Sequence, residues 1–593
     1  MAKGFAPGYR YWILAICILS GYGAVGYRLV ELHTIRSPEL AEEIERSRFR
    51  IYSLDPRRGE VFDSNGELLA TSQSFLDVGV DPKEIHSDDL EKLPQLAEVL
   101  EVPLGTLREA FNRDRYLGKN TRWVSLKKQV EESTYERLEA LDLHSVYGNR
   151  RYNRVYPGGE MSAHLLGYVR RDGIAVSGIE KEYDFYLAGQ RGWRESEVSA
   201  GQEMAQFRRR LVGARDGHSV SLTIDSYVQS MIEEEIRWIV GKMNPVSASI
   251  IVSDPYTGFI VGLANYPTFD PNRYSDFDLA SQKNRSLTDP LEPGSTFKIV
   301  AASGALEERL VHPGTTIDCS LETLKMPSGY VARLPKDSHP NGILSVEGVI
   351  EQSSNRGVAQ LGAMLGEKGF YEYVKRFGFG DRTGFSLGQE SKGILHPVNR
   401  WDGLTLTRMP MGHAIAATPL QIHFAMASVS NGGVLMKPQV VSEIVDANGE
   451  TVVEFGPLAR RRVISRATAR QVAGMLEKAV SNGGLRNAVH IPGFHIAGKT
   501  GTSQKIVNGR YSHSEHVGSF SGFFPSHDPR LAITVIVDGA QVPGTAYGAK
   551  VAAPSFKNVA EKLIPYYAIT PDPGQNESIA WLPSISSNNL SSN

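Results

Sequence analysis

Glu292-Pro293-Gly294-Ser295-Thr296-Phe297-Lys298 decides how the rest of the chain reads. Pro293 and Gly294 are turn residues. The apolar run that follows, Phe297, Ile299, Val300, Ala301 and Ala302, meets no breaker until Gly304. That pattern predicts a tight turn opening a buried helix. Ser295 then lies at the helix N-terminus, where free N–H groups and the positive dipole end favour developing negative charge. Lys298 follows three residues on, along the same face. A serine hydroxyl is a poor nucleophile until a base takes its proton. A lysine in a dry, apolar pocket can be neutral enough to be that base.

Ser-x-x-Lys alone is a weak signal, and a second copy occurs at Ser125-Leu126-Lys127-Lys128 in a charged, surface-like segment. Two further motifs single out Ser295. Ser353-Ser354-Asn355 follows, and then Lys499-Thr500-Gly501. S-x-x-K, S-x-N and K-T-G in that order are the signature of penicillin-binding proteins and serine β-lactamases.

The chain has 593 residues, which predicts two or more domains. Its net charge is −2, with both signs mixed, so nothing points to nucleic acid. Of the two cysteines, Cys17 lies in an apolar segment and Cys319 far from it, so no disulfide is expected. The uncharged stretch 11–27 follows Lys3 and Arg10. With Arg28 snorkelling, it extends to 32 as a transmembrane anchor with a cytoplasmic tail, 1–10. The positive flank places the N-terminus in the cytoplasm and the catalytic domain outside. The alternative is a cleaved signal peptide ending near Ala24-Val25-Gly26.

Residues 33 to about 52 are rich in Glu and Arg and read as a helix leaving the membrane. Asn65-Gly66 between Val61-Phe62 and Leu68-Leu69 predicts a hairpin. His164 has no nearby ligand pattern and reads as a structural histidine. A polar, basic stretch ending at Asp216-Gly217 marks a boundary between a pedestal, 33–215, and a second domain, 216–565. In the second domain Asp225 should cap a helix whose Ile232, Ile236 and Ile239 share one face. Strands are expected at 248–252, 259–263, 495–503, 519–525 and 531–538, with a closing helix at 548–564. The fold class is therefore α+β, one antiparallel five-stranded sheet flanked by helices. Residues 566–593 form a Ser/Asn/Pro-rich tail expected to be disordered.

These motifs carry a wider resemblance. The chain resembles the class B penicillin-binding proteins, monofunctional D,D-transpeptidases of bacterial wall synthesis. Arg58-Gly59 to Ala70, Tyr156-Pro157 to Gly167, Gly178-Ile179-Glu180 and Leu222-Thr223-Ile224-Asp225 match as well. It looks most like the septal branch, with elongation and sporulation types as alternatives. Two residues depart from the usual pattern. Ser64 stands where relatives often have Arg, and Ala414 stands where Gly is usual in Met411-Gly412-His413-Ala414.

The resemblance implies that Ser295 attacks the D-alanyl-D-alanine carbonyl and Lys298 takes its proton. Ser353 relays the proton to the leaving D-alanine, and Asn355 orients Lys298 and the substrate amide. Lys499, Thr500 and Thr502 bind the substrate carboxylate, while Gly501 leaves room for the peptide. No metal or cofactor is implied. The implied partners are stem peptides, β-lactams, the membrane, a SEDS-family glycosyltransferase and other divisome proteins. A membrane-anchored β-lactamase is the first competing reading. It lacks a convincing Glu-x-x-x-Asn between the second and third motifs, which lie a roomy 146 residues apart from Ser353 to Lys499. A β-lactam sensor or inactive scaffold is the other, and it should have a cytoplasmic signalling domain or a lost motif residue.

Overall fold

The computed structural model describes residues 8–36, 49–116, 121, 123–199, 202–326, 329–482, 485–507 and 510–571. Residues 1–7, most of the Glu/Arg-rich stretch and 572–593 of the expected tail lie outside them. The chain forms two compact units. One comprises the described parts of Met1–Arg57, Ser74–Tyr152 and Gly189–Asp216; the other comprises Arg58–Gln73, Asn153–Ala188 and the chain from Gly217 onward.

In the first unit, the helix Tyr9–Val30 runs on into a π turn, Glu31–Ile35, and buries none of its residues. It is long and apolar enough to cross a membrane. Arg28 pairs with Glu31 at 2.6 Å at its far end. The expected continuing helix does not reach 52. Phe49–Leu54 is a strand paired antiparallel with Gly192–Ser199, which in turn pairs with Gln202–Val212. Charge composition suggested a helix to about residue 52, but Phe49, Ile51 and Tyr52 are good strand formers and cross-strand pairing decides. The unit's apolar core joins Leu76, Val78 and Val80 to Leu93, Leu96, Leu100, Leu107 and Phe111. The spurious Ser125-x-x-Lys128 lies on the irregular strand Val124–Glu131, where Ser125 and Lys128 are both exposed rather than held in a dry pocket.

The second unit draws in two early segments. The Asn65-Gly66 hairpin forms as expected, with Val61 opposite Ala70 and Gly66 at φ +86°. Val61–Phe62 also pairs in parallel with Val220 and Ser221. Leu69, Tyr156, Leu165, Ile179 and Leu187 share one core with Leu222, Phe297 and Val300. The compact units thus cut across the linear boundary at 215/216.

The sheet of this unit has five antiparallel strands. Their order is Ile260–Tyr266, Ser247–Ser253, Leu531–Asp538, Arg510–Phe524, Ala497–Val507. Period-two alternation shows in the third of these: Leu531, Ile533, Val535 and Val537 enter one core, Ala532 and Ile536 the other. The first core is closed by the helices Ser226–Met243 and Ala553–Tyr566. Asp225 caps the former, accepting from the Tyr227 and Val228 amides. The second core holds residues of the helices Lys298–Glu307, Asn355–Arg376 and Pro419–Ser430. His164 is buried, bonded through Nε2 to the Ser281 carbonyl at 2.8 Å, and meets Phe269 edge-on. Burial lowers its pKa to about 4, so it is a neutral core histidine.

Candidate active site

Ser295 lies on a single 3₁₀ turn, Gly294–Phe297, that opens the helix Lys298–Glu307. Gly294 makes the turn possible. It has φ +56°, and a Cβ there would come within 2.9 Å of the Thr502 carbonyl and 3.2 Å of the Thr502 amide nitrogen. The nucleophile turn therefore abuts the strand that carries Lys499-Thr500-Gly501-Thr502.

Nine of the helix's ten residues, Lys298 to Leu306, are buried. Lys298 has no exposed surface and its ammonium has specific partners. Nζ donates to Asn355 Oδ1 at 2.7 Å, to Ser353 Oγ at 3.1 Å and to the Ser353 carbonyl. Burial, then the positive charge of Lys499, holds its pKa well below the usual lysine value, and Asp337 opposes this. Lys499 is also buried, and burial lowers its pKa to about 8.

Ser353 occupies the corner between the helices Val346–Glu351 and Asn355–Arg376, with φ +56°. That left-handed conformation is uncommon for serine and turns both its hydroxyl and its carbonyl toward Lys298. Lys499, Thr500, Gly501 and Thr502 lie opposite Ser521, Phe520, Ser519 and Gly518. Thr502 Oγ1 accepts from the Gly548 amide at 3.1 Å, so its own proton remains free to donate. Gly501 has a reason the motif does not announce. A Cβ there would lie 2.4 Å from Ser519 Oγ and 2.7 Å from the Pro293 carbonyl. Glycine lets the strand approach the nucleophile turn, whereas room for a substrate peptide was the sequence-based expectation.

Two features escaped the sequence. Asp337 Oδ1 accepts from the amides of Asn355 and Arg356, and Oδ2 from Ser354 Oγ at 2.8 Å. It thereby fixes the start of the helix that carries Asn355. Second, Glu292 gathers Tyr511, Ala414 and His413 beside the nucleophile turn. Glu292 stood out only as a motif letter and His413 only as the neighbour of Ala414. Among the described residues, no group of three or more His, Cys, Asp or Glu side chains is placed to hold a metal ion.

A serine on a turn against an antiparallel sheet edge, a buried lysine one turn on, an S-x-N corner and a K-T-G strand define the penicillin-recognising serine acyltransferase class. The penicillin-binding protein transpeptidase domain matches residues 248–561, more than half of the chain, and the penicillin-binding protein dimerisation domain matches 53–222. The chain belongs to this family: it is a class B penicillin-binding protein and a serine-type D,D-transpeptidase. It is 32% identical to stage V sporulation protein D of Bacillus subtilis, over 93% of this chain and 84% of that one. It is 27% identical to peptidoglycan D,D-transpeptidase FtsI of Escherichia coli, over 95% and 93%. Among solved structures it resembles penicillin-binding protein 3 of Mycobacterium tuberculosis complexed with aztreonam, with a TM-score of 0.67 and 25% identity, covering 88% of this chain and 99% of that one. A peptidoglycan synthetase from Bifidobacterium adolescentis gives a TM-score of 0.72 at 25% identity, covering 88% and 98%.

Proposed function

We propose that this chain cross-links peptidoglycan stem peptides through an acyl-enzyme at Ser295, in septal wall synthesis during cell division. The observation that carries the reading is Lys298, buried, depressed in pKa and hydrogen-bonded to Ser353 and Asn355 one turn from Ser295. Ser295 Oγ attacks the carbonyl between the two terminal D-alanines as neutral Lys298 takes its proton. The amides of Ser295 and Thr502 hold the oxyanion. Ser353 passes the proton to the departing D-alanine nitrogen. Asn355 holds Lys298 and binds the substrate amide, while Lys499, Thr500 and Thr502 bind the terminal carboxylate. An amine from a second stem peptide then attacks the ester. The new C–N bond forms, the bond to Ser295 Oγ breaks, and the proton lost by the amine returns to Ser295.

On this reading 33–215 is the pedestal, 216–565 the transpeptidase domain and 566–593 a tail. The apolar helix anchors the chain once in the inner membrane. Lys3 and Arg10 before it support a cytoplasmic N-terminus and a periplasmic catalytic domain. A SEDS-family glycosyltransferase and other divisome proteins are the proposed partners. The likeness to FtsI supports the septal role. The likeness to stage V sporulation protein D favours a sporulation role as the second reading.

Intact-protein mass spectrometry after benzylpenicillin tests the chemistry. One adduct of penicillin's full mass is expected on the peptide containing Ser295, persisting for hours and absent from Ser295→Ala. Rapid return to the unmodified mass with release of penicilloic acid would instead make the protein a β-lactamase. A fluorescent fusion tests the role: recruitment to midcell in dividing cells is expected, and signal confined to sporulation septa would favour the second reading.

A further inference from the structure

Glu292 precedes the nucleophile turn and is partnered on one side only. Oε1 accepts from the Tyr511 hydroxyl at 3.0 Å and from the Ala414 amide at 3.1 Å. Oε2 is buried and accepts no hydrogen bond. The nearest ring nitrogen, His413 Nε2, stands 3.9 Å away. His413 Nδ1 is likewise buried without a well-formed hydrogen bond. A carboxylate oxygen taken out of water and given no donor is costly to maintain, and nature rarely leaves one so without a ligand in view.

The charges around the pair agree with the geometry. Burial raises the Glu292 pKa, against the Tyr511 hydroxyl and the Ala414 amide, and no cation is among its causes. Burial first, then Lys298 and Arg408, lowers His413 to about 4, with the Met411 carbonyl opposing, so the ring is neutral near pH 7. The corner thus offers a carboxylate oxygen and a neutral imidazole, both able to accept.

Its place along the strand says which part of a substrate arrives there. Lys499 supplies the charge for a terminal carboxylate, and Thr502 abuts the turn that carries Ser295. A peptide held by its carboxylate at Lys499 and attacked beside Thr502 must continue past Ser503 toward Ile506. Ser503 Oγ donates to the Glu292 carbonyl at 2.9 Å, and Tyr511 lies opposite Ile506. The Glu292 corner therefore lies upstream of the scissile bond, on the donor side.

We propose that Glu292, with His413 beside it, receives a primary ammonium carried by the donor stem peptide upstream of its D-alanyl-D-alanine end. This rests on the reading that Ser295 is acylated by that donor. An ammonium has three N–H groups and no acceptor, which suits Oε2 and the neutral ring. It also supplies the positive charge that the buried carboxylate lacks.

β-Lactams test this, because their acyl side chain occupies the donor side. The probes are penicillins whose side chain ends in a primary amine, in a graded series of chain lengths, each paired with its N-acetylated counterpart. The full-length protein in detergent is used, and second-order acylation rate constants are measured. At the best length the amine should be favoured by about tenfold, and Glu292→Gln should reduce that preference to about twofold or less. The amide keeps an acceptor for Tyr511 and Ala414 but removes the charge; its melting temperature checks folding. If no length in the wild-type protein shows a preference, the proposal is wrong while the acyl-enzyme reading stands. That comparison needs no variant. A preference that survives in folded Glu292→Gln overturns it too. Failure of every penicillin to label Ser295 would overturn both readings together.

Discussion

Lys298 and Lys499 are both buried, and a charged ammonium on the first would sit in a dry site near the second. Acylation needs Lys298 neutral, to take a proton, and Lys499 charged, to hold a carboxylate. The rate should rise with pH as Lys298 loses its proton and fall as Lys499 loses its own. A bell-shaped profile of penicillin acylation is therefore expected, with its alkaline limb near pH 8. A rate still climbing well above that limb would remove Lys499 from the role. Ala414 offers a different residue-level test. Its φ is +58°, a region where L side chains are strained by about 1–2 kcal/mol, which explains why glycine is usual there. Ala414→Gly should raise stability by about 1 kcal/mol, read as a higher denaturant midpoint at constant slope. Ser295, Lys298, Ser353, Asn355 and Lys499 were legible because each belongs to a short motif with fixed residue types. Glu292 was not, since its side-chain partners Ala414 and Tyr511 lie 122 and 219 residues away.

At the scale of elements, the helix Asn355–Arg376 positions Asn355, and Asp337 holds its first turn. Removing the carboxylate acts on two things at once. Asp337→Ala loses an N-terminal cap, so a loss of about 1 kcal/mol is expected. It also removes the negative charge that raises the Lys298 pKa. Lys298 then deprotonates at lower pH, and the acid limb of the acylation profile should move down. Asp337→Asn keeps a hydrogen-bond acceptor, so it should recover part of the stability and show the same direction of shift. An unmoved acid limb in a folded Asp337→Asn protein would mean that Asp337 acts only by shaping the helix. The strand Leu531–Asp538 and the cap at Asp225 were readable because local pattern and final contacts agree. Phe49–Leu54 was not, because a strand far along the chain, Gly192–Ser199, supplies its hydrogen bonds. Gln202–Val212 was not, because its charged residues mask the alternation, although its partner strand is the one just before it in sequence.

For the molecule as a whole, the sequence suggests a cut near residue 216, where composition changes, but packing follows another line. Segments 58–73 and 153–188 belong to the unit that holds the active site, and an ionic cluster ties them together. Glu180 has no exposed surface. Its Oε1 accepts from Arg154 Nε and its Oε2 from Arg58 Nε, each at 2.6 Å. The two guanidiniums reach further, Arg58 to Asp184 and the Glu180 carbonyl, Arg154 to the Gly59 carbonyl. A buried cluster of this kind gains little overall, because the Coulomb attraction mainly offsets the cost of stripping three charges of water. Removing one member is another matter. Glu180→Ala strands the buried Arg154 cation, 3% exposed, leaves Arg58 paired with Asp184, and should cost about 3–5 kcal/mol. Replacing all three by apolar residues of similar size, Arg58→Met, Arg154→Met and Glu180→Leu, leaves no buried charge behind, since Asp184 is half exposed to water. That triple variant should therefore lose far less than the single one in denaturant unfolding, despite changing three residues. If it loses as much or more, the cluster stabilises this unit through its own hydrogen bonds, and the stranded charge is not the cause of the single variant's loss.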